Sequence, residues 1–403
     1  IVNTETNIYR STNEIISALL TGEFPYDTFV MTTTSFDIKK LMDKGYCAAL
    51  SESPVIQKES EQMYEPIQQQ LIYEGKLYGA PFYCYIGYYA YRPDAWATAG
   101  LTQEDVPTSF TELLDFLEAW VERIIDEPED DISVCNAFAS EAYGEDSYIS
   151  YLVDRLIQNY IMDYNFANKP LRFETPLFRS LLERCQKIGT DLYLYEPRAK
   201  GDLALFEDLH GMRDLAYLVP LRMTNEQPVL IKASLYTGFL NARSQHQELA
   251  TEYLEAVVTS IAPEMGAYLY RDAEPVENPD FRRAMDKLQA EIDEAEEKLA
   301  TSKEMEPVER NTLQDQVDMM KREWEQMSMS EERYLISEND LRLYRNYGDN
   351  LYFQAPSIFD PSTEDGQNMK QLRDRFCTGN LSADQFISRL DELAWILEQE
   401  GQQ

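Results

Sequence analysis

The sequence predicts an α/β protein made of two domains. Its 403 residues are 44% hydrophobic, which is enough chain to build two ordinary domains with separate cores. Short β-like runs alternate with amphipathic helical segments, and this alternation is typical of α/β domains. No apolar run approaches the roughly twenty residues that a membrane-spanning helix needs. No signal peptide is recognisable, so we expect any targeting segment of an exported protein to have been removed from this sequence.

The net charge is strongly negative and excludes one class of partner. The chain carries 72 acidic and 36 basic residues, a formal net charge of -36. A field of this sign repels phosphate backbones and anionic lipid headgroups. We therefore expect no nucleic-acid partner, and we interpret the acidity as the solvated surface of a secreted or salt-adapted protein.

The first elements in the chain are a helix and a strand. Residues 13–20 have a helical pattern, and residues 26–31 form a predicted buried strand. Four hydroxyl side chains follow at 32–35, at the carboxyl end of that strand, where open α/β sheets bind ligands. The candidate hydrogen-bond partners of a polar ligand here are Thr33, Thr34 and Ser35. An equally weighted alternative is a cap for a helical segment beginning near Phe36.

The next long strand is aromatic. Residues 82–91 read FYCYIGYYAY, and strand alternation places Tyr83 and Tyr85 on one face. The opposite face is predicted to carry Phe82, Cys84 and Ile86. Tyrosine suits a sugar because its ring covers C–H faces while its hydroxyl pairs with polar edges. The alternative is that these are ordinary half-buried strand tyrosines.

The residues that most enzymes need do not form a recognisable constellation. The two histidines, His210 and His246, have no metal-ligand spacing, and no HExxH, GxSxG, Walker A or GxGxxG motif occurs. The scattered cysteines are predicted to be mostly buried thiols, with one disulfide left open; they are Cys47, Cys84, Cys135, Cys185 and Cys377. We expect no catalytic residues, metal or cofactor. A carboxylate-based glycosidase remains the open enzymatic alternative.

Several segments, taken in order, resemble bacterial extracellular solute-binding proteins of family 1, the sugar-binding lipoproteins of ABC transporters. They are EGKLYGAPF at 74–82, PDAWATAGL at 93–101, PTSFTEL at 107–113, FETPLF at 173–178 and GFLNARS at 238–244. Family members usually carry Trp where Phe110 stands. The family also opens with a strand and a helix before the segment that matches residues 1–30, so these are missing here or the lobe has been rebuilt.

The resemblance implies a two-lobed, periplasmic-binding-protein-like (type II) fold with hinge crossings. Lobe 1 is expected at 1–90 and 236–348, and lobe 2 at 91–235 and 349–403. It implies a receptor, not an enzyme, that captures a solute, expected to be a carbohydrate, and delivers it to an ABC permease. The protein would be extracellular, held at a Gram-positive-type membrane only by an N-terminal lipid absent from this sequence.

Further ligand-binding residues follow from the resemblance. Lobe 2 is expected to offer aromatic residues between a strand-like stretch at 132–137 and a helix starting near Ser147. The candidates there are Phe138, Tyr143 and Tyr148, with Tyr151 assigned to the core. Tyr236, close to the return crossing, completes the candidate set. Residues 202–214 are expected to form another ligand-contacting loop.

A charged segment at 281–327 predicts two amphipathic helices packed as an antiparallel hairpin. Apolar residues recur there at spacings of four and three on both sides of Pro307. The resemblance makes this segment an insertion in lobe 1, either a stability element or a docking surface. The runner-up functions are a receptor for peptides or other organic solutes, and a protein-interaction scaffold that uses this hairpin.

Overall fold

The computed structural model describes residues 12–126, 132–135, 147–195, 203–223, 227–301, 306–354, 358–359 and 366–400. The helices are α1 (Thr12–Thr21), α2 (Ile38–Asp43), α3 (Pro54–Glu61), α4 (Glu65–Leu71), α5 (Pro93–Thr98), α6 (Phe110–Asp126), α7 (Ser147–Phe166), α8 (Pro176–Tyr195), α9 (Gln247–Thr259), α10 (Pro263–Gly266), α11 (Pro279–Thr301), α12 (Pro307–Met329), α13 (Glu338–Arg345), α14 (Gln367–Cys377) and α15 (Ala383–Glu400). The strands are β1 (Thr28–Thr32), β2 (Cys47–Ala48), β3 (Ile72–Tyr73), β4 (Lys76–Leu77), β5 (Gly79–Tyr91), β6 (Ser133–Cys135), β7 (Ala204–His210), β8 (Ile231–Asn241), β9 (Val276–Glu277), β10 (Tyr334–Ile336) and β11 (Leu351–Phe353).

One mixed sheet organises the chain. Its strand order is β1-β8-β5-β7-β6, and β2 and β11 also pair with β8. β8 is antiparallel to β1, β2 and β5 and parallel to β11. β5 pairs with β8 from Gly79 to Gly87 and with β7 from Gly87 to Tyr91. This 13-residue strand therefore joins the two halves of the sheet.

The described hydrophobic residues form two large cores and one small one. The first core packs against one face of β5 and β8 and includes α9 and α13 residues such as Leu254 and Leu341. The second core includes buried residues of α6, α7, α8, α14 and α15, and its members run from Tyr89 to Met223 and again from Phe359 to Ala394. The small core surrounds β1. None of the described helices is long and apolar enough to cross a membrane.

The predicted loop at 202–214 is wrong over most of its length. Residues 204–210 form β7, which is antiparallel to β5 and parallel to β6. Its first three residues, Ala204, Leu205 and Phe206, are fully buried, and its later residues alternate between half-buried and exposed. The polar residues of β7, Glu207, Asp208 and His210, lie on this second, accessible half of the strand.

The predicted helical hairpin is present as α11 and α12, which pack against each other. Ile292 and Val317 are buried at 2% and 1% exposure, and Lys321 Nζ lies 2.5 Å from Glu296 Oε1 across the pair. The other residues of the predicted seam are all partly buried; they are Phe281, Met285, Leu288, Ala295, Leu299, Leu313, Met320, Trp324 and Met327. The short β9–β10 ribbon joins the base of the hairpin to the rest of the chain.

The cysteines agree with the prediction of buried thiols where the structure describes them. Four are buried and free, with no disulfide among them; they are Cys47, Cys84, Cys185 and Cys377. The side chain of Cys135 lies outside the described residues.

Candidate functional site

Strand alternation divides β5 and β8 into a core face and an accessible face. On β5, Cys84, Ile86, Tyr88 and Ala90 belong to the first core. The β8 residues of this core are Ile231, Ala233 and Leu235. The residues between them point the other way and lie outside the hydrophobic cores; they are Tyr83, Tyr85, Lys232, Ser234 and Tyr236. We call this set, with His210 of β7, the strand face.

Two tyrosines predicted from separate parts of the sequence meet on the strand face. Tyr83 and Tyr236 are cross-strand neighbours, and their ring centroids are 5.4 Å apart. Burial, reinforced by Tyr236, raises the pKa of Tyr83 above its ordinary value. Tyr236 remains 37% exposed, so this pair offers accessible aromatic surface.

The assignment of Phe82 to the core face is wrong. The ladder between β5 and β8 shifts register between Pro81 and Tyr83, so the strand contains a bulge there. The ring of Phe82 lies 6.4 Å from that of Tyr236, on the side of the strand-face aromatic group. The assignments of Cys84 and Ile86 to the core are confirmed.

Tyr85 forms a second aromatic contact farther along β5. It is paired with Ser234 of β8, and its ring centroid is 4.9 Å from that of His210. Burial raises the pKa of Tyr85, although the residue is still 37% exposed. Gly87 makes room for the imidazole, because a Cβ at this position would lie only 3.1 Å from His210 Nδ1.

The three candidate hydroxyls have different environments. Thr33 is buried, and its Oγ1 accepts a hydrogen bond from the Leu235 amide at 3.0 Å. Ser35 Oγ donates to the Thr32 carbonyl at 3.0 Å and closes a turn. Thr34 is exposed, and its Oγ1 lies 3.1 Å from Ser234 Oγ, at the edge of the strand face.

The alternative that these hydroxyls cap a helix is not what the structure shows, since Asp37 caps α2.

Helix α7 of the second core borders the strand face. The Arg155 guanidinium lies over the rings of Tyr89 and Tyr151, at 4.1 and 4.4 Å from their centroids, and forms an ion pair with Asp208 of β7. Near the end of the helix, Asn165 Nδ2 donates to Tyr352 Oη at 2.9 Å. These contacts join α7 to β5, β7 and β11.

One aromatic candidate of residues 138–148, Tyr148, is not brought onto the strand face. Tyr148 lies in the first turn of α7 and packs, half-buried, against the second core. The loop position expected for it is therefore wrong. Phe138 and Tyr143 lie outside the described residues.

Sequence reasoning missed three polar residues of the strand face. They are Lys232, Ser234 and His210. The β8 sequence IKASLY alternates apolar and polar residues strictly, which is the signal that could have identified Lys232 and Ser234. His210 was included in the expected ligand-contacting segment at 202–214, but that segment was assigned to a loop, so its place on the strand face was not predicted.

A cavity of about 410 Å³ lies elsewhere, between α6 and residues 101–107. Its lining includes four carboxylates, Glu104, Asp105, Glu112 and Asp115. Three of these are already engaged, Asp105 by Thr102, Glu112 by Thr108 and Asp115 by Arg184. We therefore place the candidate site on the strand face, where aromatic and polar side chains from separate strands converge. Among the described residues, no cluster of three or more His, Cys, Asp or Glu could hold a metal ion.

Comparison with known proteins shows the fold. No model of a protein family and no curated protein matches the chain. The cyclic alpha-maltosyl-1,6-maltose binding protein from Arthrobacter globiformis matches with a TM-score of 0.52 and 12% identity, over 95% of this chain and 87% of that one. An ABC transporter solute binding protein from Thermotoga lettingae bound with alpha-D-tagatose matches with a TM-score of 0.48 and 14% identity, over 95% of this chain and 87% of that one. An ABC substrate-binding protein from Listeria monocytogenes in complex with cycloalternan matches with a TM-score of 0.49 and 11% identity, over 95% of this chain and 87% of that one.

The first of these likenesses confirms the predicted fold class. The chain is an α/β protein with the two-lobed, periplasmic-binding-protein-like fold. In such folds the two lobes are joined by crossing strands, which agrees with the continuity of β5 from the first core to the second.

Proposed function

We propose that this protein is an extracellular solute-binding receptor that captures a carbohydrate between two lobes and delivers it to an ABC permease. The observation that carries the proposal is the strand face, where Tyr83, Tyr85 and Tyr236 present accessible rings beside hydroxyl groups. Tyrosine rings cover the C–H faces of a sugar, and neighbouring hydroxyls pair with its polar edges. The fold shared with the Arthrobacter maltose-derivative binding protein supports the same assignment.

In this proposal the first and second cores are the two lobes, with boundaries near residues 90, 235 and 348. Binding would favour a closed arrangement, because the ligand would contact the strand face on one side and α7 on the other. A lipid anchor N-terminal to this sequence would hold the receptor at the outer face of a Gram-positive-type membrane. The function requires no catalytic residue.

A thermal-shift screen tests the proposal. Mono- and oligosaccharides form one arm, and amino acids and peptides form the other; a ligand that binds only the folded state raises Tm by mass action. A Tm raised by a sugar supports the proposal. A Tm raised by a peptide instead indicates a receptor for another class of solute, and an unchanged Tm in both arms favours an interaction scaffold.

Two variants then place the sugar on the strand face. Tyr85→Ala and Tyr236→Ala should each weaken binding about tenfold or more, because each removes an aromatic surface from the ligand. The matched control is Tyr253→Ala. Tyr253 is 44% exposed on α9, the helix that packs on the core side of the sheet. Equal effects of all three substitutions would contradict this placement.

A further inference from the structure

The strand face carries a cation, Lys232, that has no partner among the residues that the structure describes. Lys232 is half-buried and lies beside Gly87 on β5 and Tyr352 on β11. No other described residue forms an ion pair or side-chain hydrogen bond with it. A partly buried ammonium normally acquires a counter-charge or a set of hydrogen-bond acceptors.

The acidic residues on the described strands of the main sheet are committed elsewhere. The strands of the main sheet contain two acidic residues, Glu207 and Asp208, among the described residues. Asp208 is paired with Arg155, and Glu207 lies on the opposite face, 3.8 Å from Arg92. In a chain with 72 acidic and 36 basic residues, Lys232 therefore places a local positive charge on this sheet face.

Lys232 lies on the same face of the sheet as His210 and Tyr85. Lys232, Gly87 and His210 are consecutive neighbours across β8, β5 and β7. Two strand spacings separate the Cα atoms of Lys232 and His210 by about 10 Å. Because Gly87 between them has no side chain, the His210 imidazole lies over it, on the side of Lys232. Tyr85, on the same face and one residue pair away, packs against the His210 imidazole and is still 37% exposed, so it offers an aromatic surface near the cation.

We infer that the solute is an acidic carbohydrate, a uronate-containing oligosaccharide whose carboxylate pairs with Lys232 while a sugar ring packs against Tyr85. This inference rests on the proposed function and narrows its substrate class. The ion pair would be partly desolvated beside the sheet, so it would add affinity that a neutral sugar of the same shape lacks.

Matched sugar pairs measure the contribution of the carboxylate. Binding of α-1,4-linked tri-galacturonate is compared with that of α-1,4-galactotriose, and a glucuronate-substituted xylo-oligosaccharide with its unsubstituted form, by calorimetry in low salt. We expect the acidic member of at least one pair to bind about tenfold tighter, and the preference to shrink as salt rises.

Variants assign the preference to Lys232. Lys232→Met should abolish it and Lys232→Arg should retain it, whereas Lys58→Met should leave it unchanged. Lys58 is exposed on α3, which packs against α9 on the core side of the sheet. A preference that survives Lys232→Met overturns the inference.

The two proposals fail in different ways. Neutral sugars that bind as tightly as acidic ones overturn the acidic-carbohydrate inference and leave the sugar receptor standing. Binding of amino acids or peptides with no response to any sugar overturns both. A lack of response to both acidic oligosaccharides also overturns the inference, whatever neutral sugar binds.

Discussion

Arg155 lies over the ring of Tyr89, with its guanidinium carbon 4.1 Å from the ring centroid, and so joins a second-core helix to the strand that both cores share. Its ion pair with Asp208 is asymmetric, because the Arg155 side chain is 14% exposed and that of Asp208 is 50% exposed. Arg155 Nε is buried and finds no hydrogen-bond partner among the described residues. The cation therefore depends on its carboxylate and aromatic neighbours more than the carboxylate depends on the cation.

Removing the Asp208 carboxylate should consequently lower the free energy of unfolding more than removing the Arg155 cation. Asp208→Ala leaves a mostly buried guanidinium without its counter-charge, and we expect a loss of about 2 kcal/mol in the free energy of unfolding. Arg155→Met leaves a half-exposed carboxylate that water can solvate, so its loss should be smaller. The free energy of unfolding of the double variant should be close to that of Arg155→Met alone. Urea unfolding of the three variants measures these differences, and a double variant as unstable as the sum of the singles would contradict the asymmetry.

Asp163 should make stability depend on pH. This carboxyl is 3% exposed and accepts a 2.6 Å hydrogen bond from the Met223 amide, and burial raises its pKa to about 6. Because this pKa is raised above the value near 4 of the unfolded chain, the folded state binds the extra proton between those values. The contribution of Asp163 to stability is therefore lost as pH rises from about 4 to about 6.

The Asp163→Asn variant isolates this effect. Asparagine keeps an acceptor for the Met223 amide and cannot ionise. The stability of Asp163→Asn relative to the native protein should rise by on the order of 2–3 kcal/mol between pH 4 and pH 7. Asp163→Ala, which removes the acceptor as well, should be less stable than Asp163→Asn at every pH. A difference in the free energy of unfolding between Asp163→Asn and the native protein that stays constant from pH 4 to pH 7 would contradict the prediction.

The sequence predicted the aromatic face and the helical hairpin because each depends on a local repeat. Alternation along β5 separates Tyr85 from Cys84, and spacings of three and four align Ile292 with the rest of the α11 seam. It could not predict the bulge that turns Phe82 toward Tyr236, because one extra residue in a ladder leaves no mark on the alternation of a single strand. It also missed the contact of Arg155 with Asp208, since that pair spans 53 positions and depends on how a helix packs on a sheet.

The candidate hydroxyls illustrate the same limit. The run at 32–35 correctly predicted polar groups at the end of β1, but the sequence could not say which of them the backbone would use. Thr33 is engaged by the Leu235 amide because the chain continues the β1–β8 ladder by one residue. Only the register between two distant strands decides that Thr34, and not Thr33, reaches Ser234.

The buried cysteines should resist alkylation in the folded protein. Cys84 and Cys185 are fully buried, and Cys47 and Cys377 are 4% and 5% exposed. Burial raises the pKa of Cys47 and of Cys84 to about 12, so the reactive thiolate is scarce at pH 8. Iodoacetamide followed by peptide mass spectrometry should leave these four positions unlabelled until guanidinium is added. Rapid labelling of Cys84 in the native protein would show that the first core opens on the timescale of the reaction.

The helical hairpin should be separable from the rest of the protein. Its buried residues, Ile292 and Val317, belong to none of the three described cores, so the seam is buried mainly by the hairpin itself. Its base is closed independently, since Asn278 N donates to the Arg333 carbonyl at 2.8 Å beside the β9–β10 ribbon. Replacing residues 281–327 with a short Gly-Ser linker should therefore preserve the main unfolding transition and solute binding.

A point variant distinguishes a peripheral hairpin from a supporting one without deletion. Ile292→Asp buries a charge in the seam and should unfold α11 and α12 while leaving the β9–β10 ribbon paired. Circular dichroism should then show lost helix, with an unchanged Tm for the remaining transition and an unchanged affinity for the sugar identified in the screen. Lys287→Ala, on the exposed side of α11, is the matched control. If Ile292→Asp lowers the main Tm or weakens binding as strongly as it reduces helix content, then the hairpin stabilises the first core and its deletion should fail in the same way.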